Sequence, residues 1–377
     1  MDQPRQQDRR TFTRGIDFKG RVAIVTGAGG GLGRQHALAL AARGAKVLVN
    51  DLGGAVDGSG GTVSAAQAVV DEIRAAGGEA LANGASVTDF AAVEAMVQQA
   101  IDAWGRVDVL VNDLGGAVDG SGGTVGAAQA VVDEIRAAGG EALANGASVT
   151  DFAAVEAMVQ QAIDAWGRVD ILVNNAGILR DKSFAKMSMD DFRLVVDVHL
   201  MGAANCCKAA WPHMVAQQYG RIVMTTSSTG LYGNFGQANY GAAKLAQVGL
   251  MQTLAIEGAK YNIHVNALAP TAATRMTEGL MPQEVLDALK PEAVVPAMLV
   301  LAHESAPTRT ILCAGAGTFE AAHITLTQGI HLGIGADVPE QLAARLAEVT
   351  ERAGEQVPQS GAAQGTNEVG RALAARA

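Results

Sequence analysis

The chain has 377 residues, 49% of them hydrophobic and 18% charged, with 46 glycines. That is enough for two or three domains of about 100 to 200 residues, and too apolar for a disordered protein. A formal charge of -10 disfavours a broad nucleic-acid surface, which needs clustered Lys and Arg against phosphates.

Along the chain, 1–14 is polar and Arg-rich and reads as a flexible N-terminus without the apolar core of a secretory signal. Val22 to Thr26 is a short β-branched run, followed by a glycine turn and a helix-like stretch from Leu32 to Arg43 closed by Gly44; Lys46 to Asn50 reads as a second strand. From there the chain repeats itself. Asp51 to Asn112 and Asp113 to Asn174 are two 62-residue copies that differ only at Ser64 against Gly126 and Val109 against Ile171. Solenoids are built from several diverged copies, so this pair reads as a tandem duplication, an engineered insertion or an assembly error.

Each copy offers a helix (62–76, then 124–138), a short strand, a helix ending near Trp104 or Trp166, and an apolar strand. Both compete for the same places in a sheet. The second is favoured, because its last strand runs directly into Asn174-Asn175-Ala176-Gly177 whereas the first runs into Asp113-Leu114-Gly115. The first copy is then expected to protrude, extend the sheet edge or swap with a partner chain. Beyond the copies come a helix near Asp190 to Gln218, a strand Arg221 to Thr226, a long helix near Ala238 to Tyr261 and a strand Ile263 to Leu268. Strands alternating with helices predict a parallel sheet, and continuous apolar strands such as 171–173 and 222–224 predict burial on both faces.

Two motifs carry chemistry. In Thr26-Gly27-Ala28-Gly29-Gly30-Gly31-Leu32-Gly33, glycines between a strand and a helix let backbone approach a pyrophosphate, and the helix offers its free N–H groups and positive dipole end. Asp51, 24 residues after Gly27, ends the next strand, where a carboxylate accepts hydrogen bonds from ribose hydroxyls and repels a 2′-phosphate; NAD is favoured over NADP. A plain turn at either place is the alternative. In Tyr240-Gly241-Ala242-Ala243-Lys244 the tyrosine and lysine share a helix face, so an ammonium stands by to stabilise a phenolate. With a pKa of ~10 an ordinary tyrosine is a poor base, so Lys244 and a positive nicotinamide ring are expected to depress it. Ser227, 13 residues earlier, can hold the substrate oxygen while hydride leaves the same carbon.

Together the glycine string, Asn174-Asn175-Ala176-Gly177, Ser227, Tyr240 with Lys244, and Pro270-Thr271 resemble a short-chain dehydrogenase/reductase. Asn50-Asp51-Leu52-Gly53-Gly54, Gly177-Ile178-Leu179-Arg180-Asp181, the stretch 231–240 and Ala255-Ile256-Glu257-Gly258 narrow the likeness to the dehydrogenase part of the peroxisomal multifunctional enzyme type 2 family. The resemblance implies a Rossmann-type doubly wound parallel α/β sheet with an α-rich C-terminal extension. It implies Ser227, Tyr240 and Lys244 as catalytic residues. NAD contacts are implied at Gly27, Gly31, Leu32, Gly33, Asp51, Val149, Asn175, Ala176, Gly177, Tyr240, Lys244, Pro270 and Thr271. The implied reaction is NAD-dependent oxidation of (3R)-3-hydroxyacyl-CoA to 3-ketoacyl-CoA. The alternatives are a 17β-hydroxysteroid or other alcohol dehydrogenase, and a non-catalytic NAD-binding oligomer disabled by the duplication.

One departure is His199, where the family's fourth catalytic position carries asparagine; a water relay and plain packing are both open readings. Met276, Met281 and Met298 either line a channel under a substrate flap or sit in the core. Cys206 and Cys207 read as helix-packing residues. With Cys313 they are too few for a disulfide framework and have no metal-ligand spacing, which points to a reducing cytoplasm and no metal. No apolar run reaches membrane-spanning length, and the chain ends Ala375-Arg376-Ala377, without a peroxisomal address. The organisation expected is 15–302 as the Rossmann domain containing copies 51–112 and 113–174, 303–354 as a C-terminal extension and 355–377 as a flexible tail. The partners expected are a small acyl-CoA or steroid and a second copy, as homodimer or homotetramer, with no nucleic acid and no membrane.

Overall fold

The computed structural model describes residues 16–19, 21–26, 31–43, 45–50, 109–112, 126–137, 141–273 and 282–375. The first-copy helices, Gly27, Asp51, Met276 and Met281 lie outside these residues. The chain forms two units, 1–320 and 321–377.

Unit 1 is built on β-branched, apolar runs that pair in parallel. β1 (Val22–Thr26) has β2 (Lys46–Asn50) on one side and β5 (Ile171–Asn174) on the other. Beyond β2 lies β4 (Ala142–Asn145), and β3 (Val109–Asn112) registers against β4 with Leu110 opposite Leu143. Beyond β5 come β6 (Gly220–Thr225), β7 (Ile263–Thr271), β8 (Ile311–Gly315) and β9 (Thr318–Ala322), giving the order β3-β4-β2-β1-β5-β6-β7-β8-β9. Both β4 and β5 come from the second copy, and β3 is the end of the first. All residues of β5 and β6 are buried, as sheets covered on both faces require.

One face carries α1 (Gly31–Ala41), α2 (Gly126–Ala137) and α9 (Val295–Ala302). Their core includes Leu40, Val131, Val132, Ile135, Val294 and Met298, all fully buried; Met298 is therefore a core residue. The other face carries α3 (Phe152–Trp166), α5 (Gly202–Gln217) and α7 (Ala238–Gly258). Asp151 caps α3, accepting from Ala154 N at 3.2 Å, and Gly167 closes it in the left-handed region at φ 74°.

The helix expected over 190–218 is interrupted. α4 (Met189–Val196) passes into a π turn, Asp197–Met201, before α5 begins. A π turn inserts one residue and rotates the helix that continues from it. That rotation places Gly202 against Val149, where an added Cβ would come within 2.5 Å of a Val149 methyl. Two further differences lie beyond residue 302. β8 pairs with β7 from Ala267 opposite Ile311 to Thr271 opposite Gly315, so the sheet claims residues expected in the extension. Pairing with β8 also carries β7 past Leu268 to Pro270 and Thr271.

The amino edge of the sheet is closed by Arg221, which is 1% exposed. Its guanidinium donates to the carbonyls of His303 (3.1 Å), Gly220 (2.7 Å), Asn262 (2.7 Å) and Glu304 (2.7 Å). Arg221 and Arg21 lie over the Tyr219 ring, at 4.3 and 4.2 Å from its centre, and Arg168 forks onto the buried Asp170 carboxylate. Charged groups taken out of water need such partners.

Unit 2 contains α10 (Val338–Ala344), α11 (Leu346–Val349) and α12 (Ala362–Ala374). A two-way bridge between Leu326 and Gln356 (2.8 and 2.9 Å) and a bond from Arg371 to Gln328 (3.1 Å) tie it internally. Among its described residues none is buried. The helix α12 occupies much of the stretch expected as a flexible tail; its Gln364–Glu368 bond (2.9 Å) is the i,i+4 pairing that supports an exposed helix.

Because β2 pairs with β4 and β1 with β5, removing Asp51 to Asn112 takes out β3 but none of these pairs, and rejoins identical sequence at Asp113. The deletion variant is expected to match or exceed the full chain in melting temperature, checked by thermal denaturation; a clear loss would mean that the first copy supports the fold.

Candidate active site

Parallel pairing puts the carboxyl ends of β1, β2, β5 and β6 on one edge, with Thr26 opposite Asn50 and Asn174 opposite Met224. The chain leaves β1 for β2 on one side and returns to β5 on the other, so the sheet reverses direction between β1 and β5. In open α/β sheets ligands bind at such a switch point. The N-terminus of α1, with Gly31, Leu32 and Gly33 in its first turn, stands at this point with N–H groups that have no partner within the helix.

Ser227 follows β6 and caps α6 (Ser228–Tyr232), its hydroxyl accepting from Thr229 N at 3.2 Å. Tyr240 and Lys244 stand one turn apart on α7. The helix is brought close by Gly230, where a Cβ would come within 2.7 Å of Lys244 Cβ. Lys244 is 2% exposed and donates from Nζ to Thr225 O at 2.6 Å; Thr226 Oγ1 donates back to Lys244 O at 2.7 Å. The ammonium nitrogen is 5.4 Å from the Tyr240 ring centre, and the Ser227 hydroxyl is near enough to the phenol to lower its pKa. The three residues read from the sequence therefore meet.

In the protein by itself burial sets both protonation states. Burial pushes the Tyr240 hydroxyl up to about 12, against the lowering effect of Ser227, and pulls Lys244 down to about 7. Desolvation, helped by the Asp181 charge, thus outweighs the hydroxyl's effect on the phenol.

His199 lies in the π turn, 2% exposed, its ring edge-on to Tyr240 with centres 5.1 Å apart. Its Nε2 is 3.1 Å from Ile178 N and 2.8 Å from Ile178 O. Burial, followed by the Lys244 charge, holds it well below the ordinary histidine range. This approach needs Gly177, whose added Cβ would fall 2.3 Å from His199 Cε1. The turn Asn175-Ala176-Gly177 is thus pinned at the mouth of the switch point, with Val149 buried nearby, its carbonyl accepting from Asn205 at 2.8 Å. Pro270 and Thr271 end β7 on the same edge. A clamp holds the loop before α7: Gln237 donates to Asp181 at 2.7 Å and Lys182 N to Gly236 O at 2.9 Å.

Gln247, three residues after Lys244, donates to His199 O at 2.8 Å and is 2% exposed. A buried polar residue in register with Tyr240 and Lys244 is visible in the sequence only as a break in the apolar stripe of α7. Among the described residues no group of His, Cys, Asp or Glu could hold a metal, and no helix is long and apolar enough to cross a membrane.

With this geometry in place, the chain matches the short chain dehydrogenase family over residues 21–125 and 116–285, and it belongs to that family of oxidoreductases. The two matched stretches overlap over 116–125, just past the join between the copies. It is 46% identical over 290 residues to the peroxisomal hydratase-dehydrogenase-epimerase of Saccharomyces cerevisiae, covering 77% of this chain and 25% of that one. The peroxisomal multifunctional enzyme type 2 of Drosophila melanogaster is 45% identical over 290 residues, with 77% of this chain and 38% of that one covered. The chain thus spans well under half the length of both. A Mycobacterium tuberculosis protein named as a short-chain type dehydrogenase/reductase is 41% identical over 338 residues, covering 89% of this chain and 96% of that one. Among solved structures, a 7α-hydroxysteroid dehydrogenase complexed with NADH and 7-oxo glycochenodeoxycholic acid matches with TM-score 0.57 and 25% identity, over 80% of this chain and 95% of that one.

Two outcomes are expected. Gly177→Ala should destabilise by about 1–3 kcal/mol by overpacking His199, measured by denaturant unfolding. The second concerns pH. His36, held near 3 by burial, and His199 stay neutral when folded, while the unfolded chain takes up protons below about 6.5. The unfolded state then binds more protons, so stability falls as pH drops, by about 2 kcal/mol at pH 5 for His36, with His199 acting in the same direction. Melting temperatures at pH 7.5 and pH 5 test this, and His36→Leu should flatten the slope.

Proposed function

We propose that the chain oxidises a (3R)-3-hydroxyacyl-CoA to the 3-ketoacyl-CoA, with Ser227, Tyr240 and Lys244 as catalytic residues and NAD as hydride acceptor. The observation that carries this reading is the meeting of these three side chains on the edge that also presents the N-terminus of α1. NAD bound there would supply the hydride acceptor and a positive ring. The residues present suit it: free N–H groups at α1, the turn Asn175-Ala176-Gly177, Val149, Pro270 and Thr271 along the edge, and Gly27 and Asp51 from the sequence. The NADH in the hydroxysteroid dehydrogenase complex supports the same cofactor.

Ser227 and Tyr240 share the substrate oxygen. Ser227 orients it, and the Tyr240 oxygen receives its proton as the carbonyl forms. Forming the phenolate needs an acceptor for the Tyr240 proton and a cation beside it; Lys244, drawn down to about 7 by burial, is accessible as the neutral amine that takes up a proton and becomes that cation. Alcohol oxidation needs the base form, so kcat/KM for oxidation is expected to rise with pH while the reverse reduction falls.

The hydroxyacyl substrate rests on likeness to enzymes whose names join hydratase and dehydrogenase activities, since hydration of an enoyl-CoA yields the alcohol a dehydrogenase consumes. The bile-acid derivative in the hydroxysteroid dehydrogenase complex favours a sterol as second reading. We place the protein in the cytoplasm on its three free cysteines, and infer a homodimer or homotetramer.

NADH formation by the purified chain on (3R)- and (3S)-3-hydroxyacyl-CoA and on a hydroxysteroid tests the reading. The 3R thioester is expected to be fastest, and Tyr240→Phe to lower turnover by about 10²–10⁴-fold. Turnover on the steroid alone would favour the second reading. NAD binding without turnover on any alcohol would mean a non-catalytic protein.

A further inference from the structure

The connection 146–151 leaves the carboxyl end of β4 at Asn145 and reaches α3 at Phe152. In the sheet β4 is separated from β5 by β2 and β1. Val149, four residues past Asn145, nevertheless lies in the same packed recess as Asn174 and Ala176, at the carboxyl end of β5. The chain therefore runs over 146–149 as a strap past the carboxyl ends of β2 and β1. It lies on the face of the sheet that carries α5, whereas α1 covers the other face. The strap and the N-terminus of α1 thus flank the switch point from opposite sides.

The strap is held at both ends. At its start Asn145 Oδ1 accepts from Ala147 N at 2.7 Å, and Asn145 Nδ2 donates to Gln161 Oε1 on α3 at 2.9 Å. At its far end Val149 is 1% exposed and is gripped twice by α5. Its side chain fills the space left by Gly202, where an added Cβ would fall 2.5 Å from a Val149 methyl, and its carbonyl accepts from Asn205 Nδ2 at 2.8 Å. Gly202 and Asn205 are three residues apart, so one face of the helix makes both contacts. Between these anchors 146–148 is only half-buried. Buried Val149 fixes the strap, and 146–148 is the part presented to the edge.

We propose that Asn205 is a positioning residue for the cofactor: by holding the Val149 carbonyl it keeps the strap at the spacing from α1 at which the adenosine half of NAD fits between them. The adenosine half belongs on this side because the strap passes β2, beyond which the sequence places the ribose-binding Asp51, while Ser227 and Tyr240 stand past β5. Without the Asn205 donor the buried carbonyl is left unpaired and gains by turning out to water. The closed strap then becomes one state among several, and the apparent Kd rises by the fraction of closed strap lost. Asn205 itself touches neither cofactor nor substrate. This placement rests on the reading of NAD as the cofactor.

The test is calorimetric titration of the full chain with NAD, AMP and nicotinamide mononucleotide, comparing wild type with Asn205→Ala and Asn205→Asp. Alanine suits a helix better than asparagine, and aspartate keeps the volume but loses the N–H donor. Both variants are expected to raise the Kd for AMP and the Kd and KM for NAD about tenfold, as the loss of one hydrogen bond allows, with the Kd for nicotinamide mononucleotide and kcat at saturating NAD unmoved. Wild-type AMP affinity in a folded variant overturns the proposal. So does an equal loss for both half-molecules, which would make Asn205 a general structural residue. A wild-type chain that binds nicotinamide mononucleotide as tightly as NAD overturns it with no variant needed, because the adenosine half would then add nothing. If wild type binds none of the three, the cofactor reading fails and the proposal with it; if NAD binds and the variants bind AMP normally, that reading stands and the role of Asn205 alone fails.

Discussion

A lysine ammonium buried against the last carbonyl of a strand organises this active-site edge. Lys244 Nζ reaches Thr225 O, and Thr226 Oγ1 reaches back to Lys244 O, so β6 and α7 are stitched together at the two residues that precede Ser227. A charge with 2% exposure is costly unless it is satisfied, and one carbonyl satisfies it only in part. The lysine therefore gives up its proton easily, and a neighbouring phenolate is the group that would make it keep one. The tension is local and is held in place by packing: Gly230 brings α6 onto α7 so closely that no other residue leaves room.

The two edges of the sheet divide the labour. At the amino edge the buried charges among the described residues are answered, with Arg221 spread over four carbonyls and Asp170 gripped by Arg168. At the carboxyl edge polar atoms are left with spare capacity, from the first N–H groups of α1 to the acceptors of Asn174 and Gln247. Rigidity at one end permits unsatisfied chemistry at the other, which is how a fold can hold a site in readiness without losing its register.

Much of this was legible in the sequence because it depends on local rules. Val22–Thr26 and Ile171–Asn174 are β-branched or aliphatic runs with turn residues after them, and Tyr240 with Lys244 needs only the helical period to share a face. The π turn was not legible, because residues 190–218 are periodic enough to read as one helix; the break comes from a tertiary demand, the packing of Gly202 on Val149 and of His199 on Gly177. The same holds for β8, whose place in the sheet depends on a pairing with β7 some 40 residues earlier. Charge states were also invisible: the expectation of a depressed tyrosine comes from its neighbour, whereas burial decides the outcome in the protein alone. Gln247 has no motif; its bond to the His199 carbonyl is a tertiary contact between α7 and the π turn.

The register kept on either side of it gives the duplication a wider meaning. Between β2 and β4 the chain carries a whole extra module, yet β1, β2, β4 and β5 keep their register. Closing a longer connection costs only ~0.6 kcal/mol for each doubling of its length, whereas breaking a central strand pair would cost the fold. The connection between β2 and β4 therefore lengthens by a whole module at small entropic cost, while the pairs that build the sheet around the switch point stay as they are.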